Sequence, residues 1–251
     1  MNLALTNKVV LITGANGGIG QAISLAFIQE GATLLAGYRG DVSKLDELKS
    51  MLTADQQNQV KPIQLDLGDI AQCKVAIDEA VDHFGAIDVL VNCAGTAIEK
   101  PFLLTEFDEI DKQTTANFTA PIKLTQLVLK HMMLNRKGSV INVSSVHGFR
   151  FGRGVAVYAA NKSAIERFTQ ALALEVGRNG IRVNAVCPGM IETKMIQSLQ
   201  KNMPPDILKR CPISRPGKPH EIANAVLFLA SETMSSYITG TTLVVDGGIS
   251  I

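Results

Sequence analysis

Short apolar segments alternate with longer amphipathic segments along the whole chain. Helical spacing of apolar residues predicts helices near 18–29, 42–55, 70–84, 106–135, 158–178 and 220–230. The segments between them are rich in β-branched and aliphatic residues and predict strands at Val9–Thr13, Thr33–Tyr38, Pro62–Asp66, Val89–Asn92, Ser139–Ser144, Arg182–Val186 and Thr242–Asp246. Several of these are apolar on both faces, as buried parallel strands require. The alternation predicts right-handed βαβ units in one α/β domain over residues 1–251, a doubly wound parallel sheet with helices on both faces.

The segment 190–219 departs from this pattern. Its stretch 194–219 is long and irregular and contains the prolines Pro204, Pro205, Pro212, Pro216 and Pro219. Long insertions in compact domains are usually functional. We therefore expect a lid over a substrate, with structural filler as the alternative. Its flexible apolar residues, which would suit an aliphatic chain, are Met190, Met195, Ile196, Leu199 and Met203.

Composition and charge narrow the function classes. The chain has 251 residues, of which 46% are hydrophobic and 19% charged, and its formal net charge is +1. This balance gives no electrostatic reason to expect a nucleic-acid or membrane partner. No secretion signal is expected at the N-terminus, and no apolar run approaches the roughly 18 residues of a membrane span. The four cysteines and four histidines are scattered, which predicts free thiols in a reducing cytoplasm and no metal site.

Three glycines occur between the first predicted strand and the first predicted helix, in "TGANGGIG" at residues 13–20. A turn built from Gly14, Gly18 and Gly20 carries few side chains, so pyrophosphate could approach the backbone N–H groups at the helix N-terminus. Gly20 would also let the helix pack closely on the strand. A glycine-rich segment alone is a weak signal, and a simple turn is the alternative. Its position at the start of a βαβ series favours nucleotide binding.

The spacing G-x-x-x-G-x-G resembles the signature of the short-chain dehydrogenase/reductase family. Further segments resemble that family in the same order: "LDL" at 65–67, "NCAG" at 92–95, "ANF" at 116–118, "SSVHG" at 144–148, "YAANK" at 158–162, "PGMIET" at 188–193 and "YITGTTLVVDGG" at 237–248. The resemblance covers nearly the whole chain. It implies a Rossmann-type fold and reversible hydride transfer between a nicotinamide and a carbonyl or hydroxyl carbon. The C-terminal segments of the chain are similar to those of the 3-oxoacyl-(acyl-carrier-protein) reductases and also to those of many other dehydrogenases of the family.

Tyr158 and Lys162 are four residues apart, so on a helix they share one face. A lysine ammonium about 4 Å from the phenol would stabilise the phenolate by about 4 kcal/mol, which bounds the lowering of the tyrosine pKa at roughly three units. We expect a phenol poised for acid–base catalysis. The resemblance assigns substrate-oxygen binding to Ser145, in preference to Ser144, and a water in the proton relay to Asn117.

The resemblance also implies a cofactor site. Asp66 would accept from the adenine amino group, the segment from Asn92 to Gly95 would line the adenosine, and Lys162 would hold the nicotinamide ribose. The full expected set of cofactor residues is Gly14, Asn16, Gly18, Ile19, Gly20, Arg39, Asp66, Leu67, Asn92, Ala94, Gly95, Tyr158, Lys162, Pro188, Gly189, Ile191 and Thr193.

Arg39 favours NADP(H) over NAD(H). NAD-selective relatives usually carry an acidic residue at the end of the second strand, where this chain has Tyr38 followed by Arg39. A guanidinium can bind a 2′-phosphate that a carboxylate would repel. One departure from the NADP pattern is Gly17, where many NADP-dependent relatives have a basic residue.

Three functions remain open on the sequence. The first is reduction of a 3-oxoacyl group on acyl carrier protein, the second is turnover of a free ketone, sugar or polyol, and the third is non-catalytic nucleotide sensing. The complete catalytic set argues against the third. Against the first, the acyl reductases usually have a glutamine and an asparagine shortly before the catalytic tyrosine, where this chain has Val155 and Val157.

Two further expectations concern partners. The arginines Arg136, Arg150 and Arg153 are expected near the mouth of the active site, where they would attract an anionic acyl carrier or thioester; solvated loop charges are the alternative.

The apolar tail "DGGISI" and the apolar excess of segments 106–135 and 158–178 predict the family's usual homotetramer.

Overall fold

Seven parallel strands form the centre of the protein. The computed structural model describes residues 2–150, 152–193 and 211–251. The strands are β1 (Val9–Thr13), β2 (Thr33–Tyr38), β3 (Val60–Gln64), β4 (Val89–Asn92), β5 (Gly138–Val143), β6 (Ile181–Pro188) and β7 (Thr242–Val245). They lie in one sheet in the order β3-β2-β1-β4-β5-β6-β7, and every neighbouring pair is parallel. This is the Rossmann-type doubly wound sheet that the sequence predicts.

Strand β3 begins earlier than its composition suggests. It starts at Val60 and not at Pro62, and it ends at Gln64. Proline cannot donate a hydrogen bond to a neighbouring strand, and for this reason the prediction from the sequence starts the strand at Pro62. In the structure β3 is an edge strand paired only with β2, where Pro62 lies opposite Ala36. An edge strand tolerates proline because the missing N–H can face away from the neighbouring strand.

Helices cover both faces of the sheet. Those in the described residues are α1 (Gly18–Gln29), α2 (Asp46–Ser50), α3 (Ala54–Gln57), α4 (Ile70–Phe84), α5 (Phe107–Thr114), α6 (Ala120–Asn135), α7 (Ala156–Val176), α8 (Pro219–Ala230) and α9 (Glu232–Ser235). None of them is long and apolar enough to cross a membrane.

Two hydrophobic cores result, one on each face. Val10 and Ile12 of β1 pack with α1 and α8, whereas Val9 and Leu11 pack with α4, α6 and α7. Alternate side chains of a strand point to opposite faces, so a strand between two helical layers must be apolar at every position. Each fully buried aliphatic side chain contributes about 1.5–3 kcal/mol.

The predicted helix over 42–55 is interrupted. A 3-10 turn at Val42–Leu45 leads into α2, and α3 starts separately after Thr53. The Thr53 hydroxyl accepts from the Gln56 N–H while the Gln56 side chain accepts from the Thr53 N–H, which is a capping box. That local cap begins a new helix where the sequence predicts continuation.

The predicted helix over 106–135 contains a π-helical turn at Thr115–Thr119. Pro121 lies in the first turn of α6 and has no backbone N–H, so it cannot donate to the carbonyl of Asn117 four residues earlier. The regular α-helical ladder is therefore broken beside Asn117. Wider turns of this kind occur frequently at functional sites.

A buried polar chain links the two central strands to the helices on one face. Asn92 of β4 is paired with Asn142 of β5 in the sheet register, and its Nδ2 donates to Asn142 Oδ1 at 2.8 Å and to Thr125 Oγ1 at 2.9 Å. Asn142 Nδ2 in turn donates to Thr169 Oγ1 at 2.8 Å. These bonds offset the cost of burying amides and fix α6 and α7 against the sheet.

Candidate active site

The expected site residues meet at one edge of the sheet. All seven strands run in the same direction, so the segments that follow β1, β4, β5 and β6 emerge side by side. The chain leaves β1 for β2 on one side and later returns to β4 on the other, which makes the gap between them the topological switch point. Ligands of doubly wound sheets bind in the crevice at this place.

The glycine-rich turn fits a pyrophosphate. Gly14 has a φ of +66°, and a Cβ there would come within 3.0 Å of the Ala94 Cα. A Cβ on Gly20 would collide with the Gly14 carbonyl oxygen, so only glycine permits α1 to approach β1 this closely. Helix α1 starts at Gly18 with no side-chain cap and no acidic residue in its first turn. Its first N–H groups are therefore available to an anion.

Thr13 joins the ends of β1 and β4. Its buried hydroxyl accepts from the backbone N–H of Cys93 at 3.1 Å and of Ala94 at 3.0 Å. These bonds hold the segment containing Ala94 and Gly95 against the glycine-rich turn, where Asn16 and Ile19 are half-buried. The expected adenosine wall is thus adjacent to the expected pyrophosphate turn.

The side chain of Asn92 lies inside the protein. It is 4% exposed and bonded to Thr125 and Asn142. The sequence expectation that Asn92 lines the adenosine therefore applies at most to its backbone. Strand alternation is the reason, because it turns this side chain toward the α6–α7 face.

The residues expected around the adenine and its ribose follow β2 and β3. Asp66 is exposed, and its Oδ1 accepts from the Gly68 N–H at 3.0 Å, which fixes the carboxylate in a turn beside the half-buried Leu67. Arg39 is exposed immediately after β2, and its guanidinium makes no ion pair with any residue the structure describes. It is available for an anionic ligand at this edge.

The segment after β6 closes the other side of the site. Gly189 packs against Asp246 and donates to the Val245 carbonyl at 3.0 Å. The Thr193 Cγ2 lies against Gly18, where a Cβ would come within 2.9 Å of it. The expected nicotinamide segment, which contains Pro188, Gly189, Ile191 and Thr193, therefore reaches the glycine-rich turn.

The two ends of the candidate lid are joined at its base. Ile191 pairs with Gly217 in an isolated parallel bridge, and the Glu192 N–H donates to the Gly217 carbonyl at 2.8 Å. Of the expected lid residues, Met190 is half-buried next to this bridge. The others, Met195, Ile196, Leu199 and Met203, lie outside the described residues, as do Pro204 and Pro205.

Ser145 and Ser144 point to different surroundings. The Ser144 hydroxyl donates to Glu166 Oε1 at 2.7 Å inside the protein. Ser145 lies just after β5, its Oγ accepts from the His147 N–H at 3.2 Å, and it is near enough to the Tyr158 hydroxyl to lower the pKa of that phenol. Ser145 is thus the serine on the side of the tyrosine, and its role in binding the substrate oxygen stays a prediction.

The pair Tyr158 and Lys162 lies on α7, with the Lys162 Nζ 5.6 Å from the centroid of the tyrosine ring. Burial raises the pKa of Tyr158, and the neighbouring Ser145 hydroxyl lowers it by less. The sequence expectation of a lowered tyrosine pKa is therefore wrong for this structure. Desolvation of the phenolate is the largest effect on this group.

Lys162 is itself strongly affected by burial. It is 6% exposed, and its Nζ donates to the Val143 carbonyl at 2.8 Å. Desolvation lowers the pKa of Lys162 to about 8, against the opposing effects of Cys93, Cys187 and Glu166. A phenol that stays protonated beside an ammonium is the arrangement that proton donation to a carbonyl oxygen requires.

Asn117 is fixed by the π-helical turn. Its Oδ1 accepts from the Thr96 N–H at 3.1 Å, and its Nδ2 donates to the carbonyls of Thr96 and Gln113 at 2.7 and 2.9 Å. Because the side chain is engaged in this way, the Asn117 carbonyl, to which Pro121 cannot donate, is the group that we expect to hold a water. A Cβ on Gly95 would come within 2.7 Å of the Asn117 Oδ1 and 3.6 Å of the Lys162 Nζ, so Asn117 and Lys162 lie on the same side of this segment.

The three expected arginines do not lie together. Arg150 and Arg153 are exposed on the loop between Ser145 and Tyr158, as predicted. Arg136 precedes β5 and donates to the Arg178 carbonyl at 3.2 Å. Because β5 runs from that end toward Ser145 over six residues, about 20 Å separate the two ends. Arg136 therefore lies at the opposite end of strand β5 from Ser145 of the same chain, contrary to the prediction from the sequence.

Two residues near the site were not singled out from the sequence. The His147 ring meets the Tyr158 ring edge to face, with 6.2 Å between centroids. Burial lowers the pKa of His147. Glu166 lies one helical turn after Lys162. The signal for Glu166 is its i+4 spacing from Lys162 on a helix that also carries Tyr158.

The sequence also predicts that the cysteines are free thiols and that there is no metal site. All four cysteines are free thiols, with Cys73, Cys187 and Cys211 buried. Within the described ranges, no cluster of histidine, cysteine and carboxylate side chains could hold a metal ion.

The chain is similar to known proteins over nearly its whole length. A family model described as enoyl-(acyl carrier protein) reductase matches residues 14–250. A 3-oxoacyl-(acyl-carrier-protein) reductase of Thermotoga maritima is 40% identical over 251 residues, which is 99% of this chain and 100% of the relative. An NADPH-dependent aldehyde reductase from Arabidopsis thaliana is 38% identical over 253 residues, covering 97% of this chain and 86% of the relative.

Solved structures share the whole fold. The crystal structure of a gluconate dehydrogenase candidate from Agrobacterium tumefaciens superposes with a TM-score of 0.91 at 27% identity and covers 100% of this chain and 98% of that one. The similarity therefore extends over the sheet, both helical layers and the site edge.

The buried charge of Lys162 predicts a pH-dependent effect on stability. The pKa of Lys162 is about 8 in the folded protein against an ordinary 10.5, so at pH 7 folding forces a charge out of water. Replacing Lys162 with Met removes this cost, less the bond to the Val143 carbonyl, and we expect the free energy of unfolding to rise by about 1–3 kcal/mol.

The gain in the free energy of unfolding should be complete below pH 8 and should fade as the pH rises from 8 to 10.5. Over this range the wild-type lysine loses its proton first in the folded state and then in the unfolded state, so the cost of burying its charge disappears. Urea unfolding of both proteins at pH 7 and pH 10 measures it. A variant that is no more stable than the wild type at pH 7 would show that the buried ammonium costs the fold nothing.

Proposed function

Because this chain belongs to the short-chain dehydrogenase/reductase family, we propose that it is an NADPH-dependent reductase that converts the 3-oxo group of an acyl thioester on acyl carrier protein to a 3-hydroxyl group. Membership of the family makes it an oxidoreductase acting on carbonyl or hydroxyl groups. The name of the Thermotoga relative supports the choice of acyl substrate.

The observation that carries the proposal is the pairing of two hydroxyl groups at the end of β5. The Ser145 hydroxyl lies near enough to the Tyr158 hydroxyl to lower the pKa of that phenol, so both can donate to one substrate oxygen placed between them. Burial raises the pKa of Tyr158, which keeps the phenol in its donor form at neutral pH. Two donors directed at one oxygen suit a carbonyl better than the carbon–carbon double bond of an enoyl group.

Four residues of this chain have separate roles in the proposed reaction. Bound NADPH supplies the hydride. Ser145 orients the substrate oxygen and stabilises its developing charge, while Tyr158 donates the proton. The Lys162 ammonium, 5.6 Å from the tyrosine ring centroid, stabilises the phenolate that remains. The Asn117 carbonyl holds the water through which Tyr158 is reprotonated.

Arg39 is the residue on which the preference for NADPH is proposed to depend. It is exposed directly after β2 and free of ion pairs with the described residues, so its planar fork can bind a 2′-phosphate. Asp41, the nearest carboxylate along the chain, is occupied by Ser43, which donates to it through both its N–H and its hydroxyl. The name of the Arabidopsis relative, NADPH-dependent aldehyde reductase, supports the same cofactor.

We also propose a homotetramer in the cytoplasm. One apolar surface is formed by Phe102, Leu103, Leu104 and Phe107, which are 60–96% exposed, and a second lies at the edge strand β7 and the C-terminal Ile251. Two separate self-complementary surfaces generate a tetramer. Light scattering that gives a monomer mass would contradict it. The four free thiols suit a reducing compartment.

Reduction of a free ketone or aldehyde is the second candidate. Val155 and Val157 replace the two amide side chains usual in the acyl reductases, and the Arabidopsis relative is named for an aldehyde. The candidate lid and the arginines Arg150 and Arg153 favour a longer anionic substrate. The two candidates differ in whether charge on the substrate matters.

The cofactor proposal predicts the effect of Arg39→Ala. Losing a charge-assisted contact with the 2′-phosphate should raise the KM for NADPH about tenfold and leave the KM for NADH unchanged. Arg167→Ala, an exposed arginine on α7, is the matched control and should change neither value. A wild-type preference for NADH would overturn the cofactor assignment.

The substrate proposal predicts that acetoacetyl-coenzyme A is reduced more efficiently than a neutral ketone of similar size. Its KM should rise with salt, because exposed charges are screened over about 10 Å at 0.1 M ionic strength. Arg150→Ala and Arg153→Ala should each raise the KM several-fold for the thioester alone. Steady-state kinetics at two salt concentrations measures this, and equal efficiency on both substrates without salt dependence would favour the free-ketone function.

A further inference from the structure

A carboxylate lies directly beneath the turn that presents Ser145. Glu166 is on α7, one helical turn after Lys162. Its Oε1 accepts from the Ser144 hydroxyl at 2.7 Å and from the Cys187 thiol at 3.1 Å. Both donors are buried, with Ser144 3% exposed. Glu166 therefore connects the ends of β5 and β6 to the catalytic helix.

The same carboxylate also fills the space at the far end of the turn. A Cβ on Gly148 would collide with the Glu166 Oε1, so a larger residue at position 148 would displace the carboxylate from where it lies. The turn is short, because the Gly148 N–H donates to the Ser145 carbonyl at 2.8 Å. Glu166 thus contacts the residues on both sides of Ser145 and restricts how the Ser145 hydroxyl is presented.

Ser144 contacts both this carboxylate and the backbone of Lys162. The Ser144 Oγ is 2.7 Å from the Glu166 Oε1 and 3.1 Å from the Lys162 carbonyl oxygen. Besides Glu166, the titratable groups acting on Lys162 are Cys93 and Cys187. Burial raises the pKa of the Cys93 thiol to about 12 and raises that of Cys187 as well, so both are neutral at physiological pH. Glu166 is the carboxylate among the groups that act on the buried ammonium.

We propose that Glu166 is a positioning residue for carbonyl reduction: its carboxylate fixes the turn 144–148 that presents Ser145, and its charge opposes the desolvation of the Lys162 ammonium. The role depends on the proposed carbonyl reduction but not on which carbonyl compound is the substrate. A structural role alone would require the hydrogen bonds of Glu166 and not its charge.

Glu166→Gln separates these two roles, because an amide oxygen still accepts from Ser144 and Cys187 while the charge is lost. We expect kcat at pH 7 to fall several-fold, and the alkaline midpoint of the kcat/KM profile to move down by about one pH unit, because Lys162 loses its proton more easily. Glu166→Asp keeps the charge and should hold the wild-type midpoint. Glu175→Gln, an exposed carboxylate on the same helix, is the matched control and should match the wild type.

An alkaline midpoint for Glu166→Gln that coincides with the wild type and with Glu175→Gln would overturn the proposal. Should Glu166→Gln not fold, Ser144→Ala tests the positioning role, because it removes the link to the turn and keeps the charge. It should lower kcat several-fold at an unchanged midpoint, and an unchanged kcat would overturn that role.

Failure of the proposed function is recognised separately. If the wild type reduces neither thioesters nor ketones with NADPH, the proposed function fails, and the midpoint is read instead from an NMR pH titration of the 15N-labelled Lys162 Nζ, which needs neither a substrate nor a reagent that reaches the buried amine. A lower midpoint in Glu166→Gln than in wild type then still supports the effect of Glu166 on Lys162, and equal midpoints overturn it.

Discussion

The site is organised around one buried ammonium group. Lys162 is almost inaccessible to solvent and donates to the Val143 carbonyl at the end of β5. Burying this charge lowers the lysine pKa to about 8, so the fold pays for it in stability at neutral pH. The position is useful because the low dielectric around the ammonium strengthens its effect on a neighbouring phenolate. The surrounding structure supplies the partners that make the burial tolerable.

The residues that surround the site come from the strand ends near the switch point. Thr13 holds the segment after β4 against the glycine-rich turn, and Ser144 and Cys187 direct Glu166 toward the ends of β5 and β6. The π-helical turn fixes Asn117 against Thr96 on the remaining side. A single parallel sheet edge thus brings together residues that are more than a hundred positions apart in the chain.

Much of this could be predicted from the sequence. Apolar runs on both strand faces predicted the parallel sheet, and the glycine spacing predicted the turn between β1 and α1. The i+4 spacing predicted that Tyr158 and Lys162 share a helix face. These features depend on local patterns or on the direction of consecutive strands, which a sequence records.

Other features depend on tertiary structure. The pKa of Tyr158 depends on burial by the whole site, so a pairwise estimate gave the wrong direction. The π-helical turn had a signal in Pro121 that the helical periodicity of the segment concealed. Arg136 was expected near Ser145 because nine residues separate them, yet the strand between them carries the two to opposite edges. The capping box at Thr53 divided a helix that periodicity predicted to continue.

The central claim is that Tyr158 delivers the proton to the substrate oxygen. The most direct test is to measure NADPH binding and turnover in parallel for Tyr158→Phe, which removes the hydroxyl and keeps the ring. The account predicts a dissociation constant for NADPH within about twofold of the wild type and a loss of kcat of about 10²–10⁴-fold, the usual contribution of a general acid. Turnover at the wild-type rate would contradict the account.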